Sequence, residues 1–119
     1  MILEDIQQKL LEIDSKVFYG KVDEQAISND WNYTVFMRKR LSYDAQKKSF
    51  SDRFVVAVIR ENFIPDGLEN AVIEAVCSID GMRLSSTDGD YNYVQKPNTN
   101  TVVEILTIEF VRARKRAGA

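Results

Sequence analysis

The chain has 119 residues, 45% of them hydrophobic and 29% charged, which suits one soluble globular domain with a modest core. Histidine is absent and Cys77 is the single cysteine. That composition excludes Ser-His and Cys-His catalytic pairs, an internal disulfide and a cysteine-rich zinc site. The net charge of −2 conceals blocks: residues 31–50 carry five bases against one acid, and the last eight residues carry four bases and no acid. Blocks of this kind suit a protein that meets differently charged partners on different surfaces.

The acidic start Met1-Ile2-Leu3-Glu4-Asp5 is the wrong pattern for a secretory signal, and no apolar run is long enough to span a bilayer, so an intracellular product is expected, with no membrane partner. Ile2, Ile6, Leu10 and Ile13 share one face of a helix predicted from Ile2 to about Asp14, with Leu11 facing outward. Val17-Phe18-Tyr19 reads as a short extended piece ended by Gly20, and Lys21 to Asp30 as polar and irregular. From Trp31 to Leu41 the residues alternate, with Trp31, Tyr33, Val35 and Met37 on the side expected to be buried. Ser42 to Ser49 is expected to be a long polar hairpin loop, a surface tip or an arm that reaches a neighbour.

Arg53 to Arg60 is apolar on both faces at its middle, which predicts a strand inside a sheet covered on both sides. After a turn at residues 63–67, Leu68, Ala71, Val72, Ala75, Val76 and Ile79 form a single helical stripe. Asp66 is placed to cap that helix, Glu69 to complete a box-like pair, and Gly81 to end it. Met82-Arg83-Leu84 is a short extended run, and Asp88-Gly89 signals a hairpin turn. A calcium loop is not expected there, because the position twelve on from Asp88 is Thr99 rather than a bidentate glutamate. Tyr91 to Gln95 and Thr101 to about Arg112 are further strands. The apolar parity of the last one changes near Glu104, which requires either a bulge or two partly covered faces.

The expected fold is therefore α+β: one domain over 1–119, a mostly antiparallel sheet, and two helices packed on one face in the order α-β-β-α-β-β. Residues 113–119 read as a flexible basic tail. The second sheet face carries more apolar surface than a monomer normally leaves wet, and identical copies are the economical cover.

No metal, cofactor or catalytic site is expected. The strongest interaction signals are Arg38, Lys39 and Arg40 in one group and Arg112, Arg114, Lys115 and Arg116 in another, with Lys47 and Lys48 of the loop as further candidates. Both suit phosphate or an acidic protein surface, and they gather at one edge if the strands share a sheet. Ile73 and Cys77 fall opposite the helix stripe and read as an outward apolar spot; without a histidine partner the thiol is not a nucleophile.

Several phrases carry a family resemblance: Trp31-Asn32-Tyr33-Thr34-Val35-Phe36, Arg60-Glu61-Asn62-Phe63-Ile64-Pro65-Asp66-Gly67, Lys96-Pro97-Asn98-Thr99-Asn100, Val103-Glu104 and Thr107-Ile108-Glu109-Phe110-Val111. With the order of elements, they resemble tail-terminator, tail-completion and head–tail joining (neck) proteins of long-tailed bacteriophages and prophages. The resemblance covers most of the chain from Trp31 onward. It implies a small α/β subunit that closes into a hexameric ring in the virion, assembled in the host bacterial cytoplasm. Such a ring would stop growth of the tail-tube protein, present a surface to the head connector and let DNA pass through its channel, with no catalytic residues. Two alternatives stand beside it. One is a nucleic-acid-binding accessory protein that uses the basic strand end and tail without sequence recognition. The other is an enzyme on a ferredoxin-like α+β fold.

Overall fold

The run that is apolar on both faces lies at the middle of the sheet. The structure is a computed structural model that describes residues 1–44, 49–85 and 87–115, and among these residues it is mixed α+β with three helices and six strands. Strands β1 (Val17–Tyr19), β2 (Tyr33–Asp44), β3 (Ser49–Glu61), β6 (Val102–Lys115) and β4 (Met82–Leu84) are neighbours in that order. Strand β5 (Asp90–Gln95) pairs with β6 on the same edge as β4. Every pairing is antiparallel except the short parallel one between β1 and β2. None of the described helices is long and apolar enough to cross a membrane.

Helices α1 (Ile2–Leu11) and α3 (Leu68–Cys77) pack together on one face, as their stripes predict. Ile6 and Leu10 of α1 and Val72 and Val76 of α3 meet Phe36, Phe54, Val56, Val58, Leu106, Ile108 and Phe110 from the sheet. Phe54 and Phe110 are direct cross-strand partners, as are Val56 and Ile108, so β3 and β6 present one continuous apolar floor.

The structure revises several local expectations. Helix α1 stops at Leu11 because Asp14 is engaged elsewhere: its carboxylate accepts from Thr34 Oγ1 and Arg60 Nη2, both at 2.8 Å, and from the Lys16 amide. Residues 21–30 are not wholly irregular, since Asp23 caps a short helix α2 (Glu24–Ile27) by accepting from the Gln25 and Ala26 amides. In β2 the row that meets the helices is Thr34 and Phe36, while Tyr33, Val35 and Met37 face the other way. The period was legible, but which row faces the helices is a tertiary matter. The hairpin is longer than predicted: Ser42 and Tyr43 are strand residues paired with Ser51 and Phe50, and Asp44 pairs with Ser49. Residues 45–48 lie outside the described chain.

At α3 the cap is Gly67, at φ 92°, rather than Asp66, and the Glu69 carboxylate accepts from the Gly67 amide. Asp88-Gly89 does not close a hairpin. Strands β4 and β5 both run along β6, and the chain between Ser85 and Asp90 leaves the ladder opposite Ile108. The two readings of the last strand resolve in favour of two covered faces, since β3 and β6 stay in register from Glu61↔Val103 to Ser49↔Lys115. The register shift sits instead in β2, between Arg38 and Arg40. Residues 113–115 belong to β6, so the expected flexible tail does not begin at 113. Residues 116–119 lie outside the described chain.

The second face carries the predicted apolar row, but the chain covers part of it. Val35, Ile59 and Val103 are buried, with Phe18, Trp31, Tyr33, Met37, Ala57 and Ile105 packed around them. Glu61 holds Trp31 there: one carboxylate oxygen accepts from the Trp31 amide at 2.9 Å, and the other from Lys96 Nζ at 3.1 Å. Lys96 is only 7% exposed and also donates to the Asn29 carbonyl, so its charge is paired as burial demands.

Phe54 is 1% exposed beneath both helices, so Phe54→Ala should destabilise the fold by about 3–5 kcal/mol. Leu11→Ala, at a 41% exposed position, should cost well under about 1 kcal/mol. Urea denaturation followed by circular dichroism checks both values.

Candidate functional site

Strands β2, β3 and β6 outrun the helices. Past Phe54 and Phe110 the helix-side cover ends, Arg38 to Tyr43 are all exposed, and the molecule reaches 53 Å along its longest axis against 29 and 23 Å across. The projecting part, residues 40–44, 49–53 and 111–115, is a three-stranded arm held by continuous pairing across β3.

The sheet order brings the two predicted basic groups together, because β2 and β6 flank the same strand. They are not equivalent. Lys39 sits at the register shift and its ammonium pairs with Glu109 on the second face. Arg53 Nη1 lies 3.2 Å from the same carboxylate and also donates to the Ser85 hydroxyl, which in turn donates to Glu109. Hydrogen bonds from Lys39 and Ser85, with Lys39's charge and Arg53's hydrogen bond, hold the Glu109 carboxyl down at about 2. Arg114 pairs with Asp52 at 2.5 Å and stacks over the Phe50 ring, 4.5 Å from its centroid. Tyr43 meets Phe50 edge-on at 6.2 Å.

Arg38, Arg40 and Arg112 have no carboxylate partner among the described residues, and the stem of Arg112 lies beside Gly81. Lys115 ends β6, its side chain is outside the description, and Lys47, Lys48 and Arg116 lie outside the described residues altogether. Leu41 and Tyr43, which no charge argument picks out, are the arm's exposed apolar side chains; Tyr43 is 69% exposed. Their signal in the sequence was the continued alternation through Ser42, read there as a loop.

Ile73 and Cys77 are half-buried rather than outward, because β4 passes along that side of α3. Burial raises the Cys77 thiol above its ordinary pKa, which keeps it neutral. Ile73 instead lines a cavity of about 190 Å³ between α3 and the break separating β4 from β5. Leu84, Tyr91, Leu106 and Ile108 complete its apolar wall, and Glu69 and Asp88 stand at its margin. Tyr91, Tyr93, Val94 and Val102 continue as an exposed apolar edge. Among the described residues, no three His, Cys, Asp or Glu side chains come together as a metal cage.

No family model matches the chain, and no curated protein matches it.

Because the Glu109 carboxyl is depressed in the folded state, its contribution is present above an unfolded value near 4.5 and fades as pH falls toward 2. Glu109→Gln should cost roughly 1 kcal/mol at pH 7, the scale of a partly exposed network, and the gap from the parent should close between pH 4.5 and 2. Urea midpoints taken across that range measure it; a gap that stays constant contradicts the assignment.

Proposed function

We propose that this chain is a structural subunit of a tailed-phage neck. In this reading it assembles into a ring at the head-proximal end of the tail, ends growth of the tail tube and joins the tail to the head connector. The phrases between Trp31 and Val111 that resemble terminator and joining proteins support it, and so does the α+β sheet with α1 and α3 on one face. The observation that carries most weight is the arm. A small domain with a closed core on one sheet face extends three strands beyond its own helices and leaves Leu41, Tyr43, Arg38 and Arg40 exposed. Such a projection leaves Leu41 and Tyr43 outside the chain's own core, and its exposed apolar and cationic side chains are those that protein interfaces favour.

Work in this reading is done by binding. Ring closure uses sheet-edge and arm contacts between copies, and the basic residues face the DNA channel or an acidic neighbouring ring. Imaging particles that lack this protein should show overlong tails if it terminates the tube, or unattached tails of normal length if it joins them to the head. Normal infectious particles would overturn the reading.

One observation favours a second reading, in which the chain binds nucleic acid without sequence recognition: Arg38 at the base of the arm and Arg40 and Arg112 on it lack carboxylate partners among the described residues. Duplex DNA affinity should then fall steeply with salt. Replacing Arg38, Arg40 and Arg112 by alanine should flatten the log–log salt slope by about 3, near one per lost phosphate contact. A slope unchanged by the triple substitution sinks this alternative.

A further inference from the structure

Two surfaces that the fold leaves open are complementary in shape class and in charge. The first is the helix-side face of the arm. Leu41 pairs with Asp52 and Tyr43 with Phe50, so Leu41, Tyr43 and Arg38 stand in the same row as Phe54 and share one face. Tyr43 is held against Phe50, whose other neighbour is the Arg114 guanidinium, so the ring is presented by a packed base. The second is the apolar cavity between α3 and the β4–β5 break, at the opposite edge of the sheet from β2. Glu69, Asp88 and Glu109 also line it, with Asp90 beginning the next strand, and among the described residues no arginine or lysine does.

The cavity is of the right size for one ring. A protein cavity near 150 Å³ accepts benzene, and this one measures about 190 Å³. Its apolar lining suits an aromatic anchor, and aromatic anchors flanked by arginine dominate interface energetics. Arg38, which has no carboxylate partner among the described residues, and Glu69 beside the cavity supply electrostatic complementarity, which sets register and partner choice.

We propose that the occupant of this cavity is the arm of a second copy of this chain: Tyr43 enters between Ile73, Leu84 and Tyr91 while Arg38, in the same row of β2, meets Glu69. Donor and acceptor surfaces are different parts of the molecule, so the contact is heterologous and propagates head to tail, the kind of interface that closes rings. This inference rests on the assembly reading given above and adds the contact that would build the ring.

Three proteins test it by native mass spectrometry up to millimolar concentration, with folding checked by circular dichroism. An arm variant carries Tyr43→Ser with Arg38→Glu. A cavity variant carries Glu69→Arg with Leu84→Arg. The parent should form closed oligomers. Each variant alone should stay monomeric, with association weakened at least about thirtyfold, the cost of losing one hot spot. An equimolar mixture of the two variants should give a dimer and nothing larger, because it holds one sound arm and one sound cavity. In a Cys77→Ala background, Ser42→Cys and Thr87→Cys, which leave Tyr43 and Leu84 in place, should cross-link between chains under oxidation, which keeps the proposal testable if a charge variant misfolds. Parent oligomers that survive both sets of substitutions, or a mixture that stays monomeric, overturn the arm-and-cavity contact while leaving the neck role to the particle images. A parent that is monomeric throughout also overturns it.

Discussion

Strand β3 is hydrogen-bonded on both sides along nearly its whole length, and the rest of the molecule follows from that constraint. A strand in this position is paired with β2 and β6 along most of its length, and at its end the Glu61 amide donates to Asn32 Oδ1, so its middle can be apolar on both faces without exposing unpaired polar groups. The same pairing obliges its partners to match its length. β2 has 12 residues, β3 has 13 and β6 has 14, whereas α1 and α3 have ten each. A helix rises about 1.5 Å per residue and a strand about 3.3 Å, so two ten-residue helices cover only part of such a ladder. The projecting arm is the consequence of this mismatch.

Ion pairs decide how the covered half is finished. Arg60 reaches Asp14 from the helix side and ties the end of α1 to the sheet, with its other nitrogen on the Tyr33 and Ile59 carbonyls. Glu61, the next residue, points to the opposite face and collects Trp31 and Lys96. The alternation of a strand thus sends two adjacent charges to two faces, where each pins a covering segment. Since the second face is partly closed from within by Trp31, the apolar surface left over is displaced to the arm and to the β4–β5 edge. A chain that contacted neighbours through these two places, as proposed above, would keep a stable core independent of assembly, with its contact surfaces at opposite margins.

Much of this was legible in the residues taken in order. The periodicities of Ile6 and Leu10, of Val72 and Val76, and of the two-faced run from Arg53 to Arg60 named both principal helices, the central strand and most of the core, because burial imposes those periods locally. The charge in Arg38 to Arg40 and Arg112 to Arg116 stands out in the sequence as two basic groups, but the arm does not, since Ser42 to Ser49 reads as a loop and 113–119 as a tail. What composition and spacing could not do was choose between neighbours. Tyr33, Val35 and Met37 alternate with Thr34, Phe36 and Arg38 whichever row meets the helices, and Asp88-Gly89 has the same turn chemistry whether it closes a hairpin or carries one broken strand past Ile108. Sequence by itself determined which segments are amphipathic, and with what period, because those are properties of a few adjacent residues. Only the tertiary structure decided which face is covered, that Lys39 and Arg53 share Glu109 while Arg38 and Arg40 have no carboxylate partner among the described residues, and that α3 and β6 flank a cavity. Those outcomes depend on residues far apart in the chain, such as Lys39 and Glu109, being brought within contact distance by the register of β3.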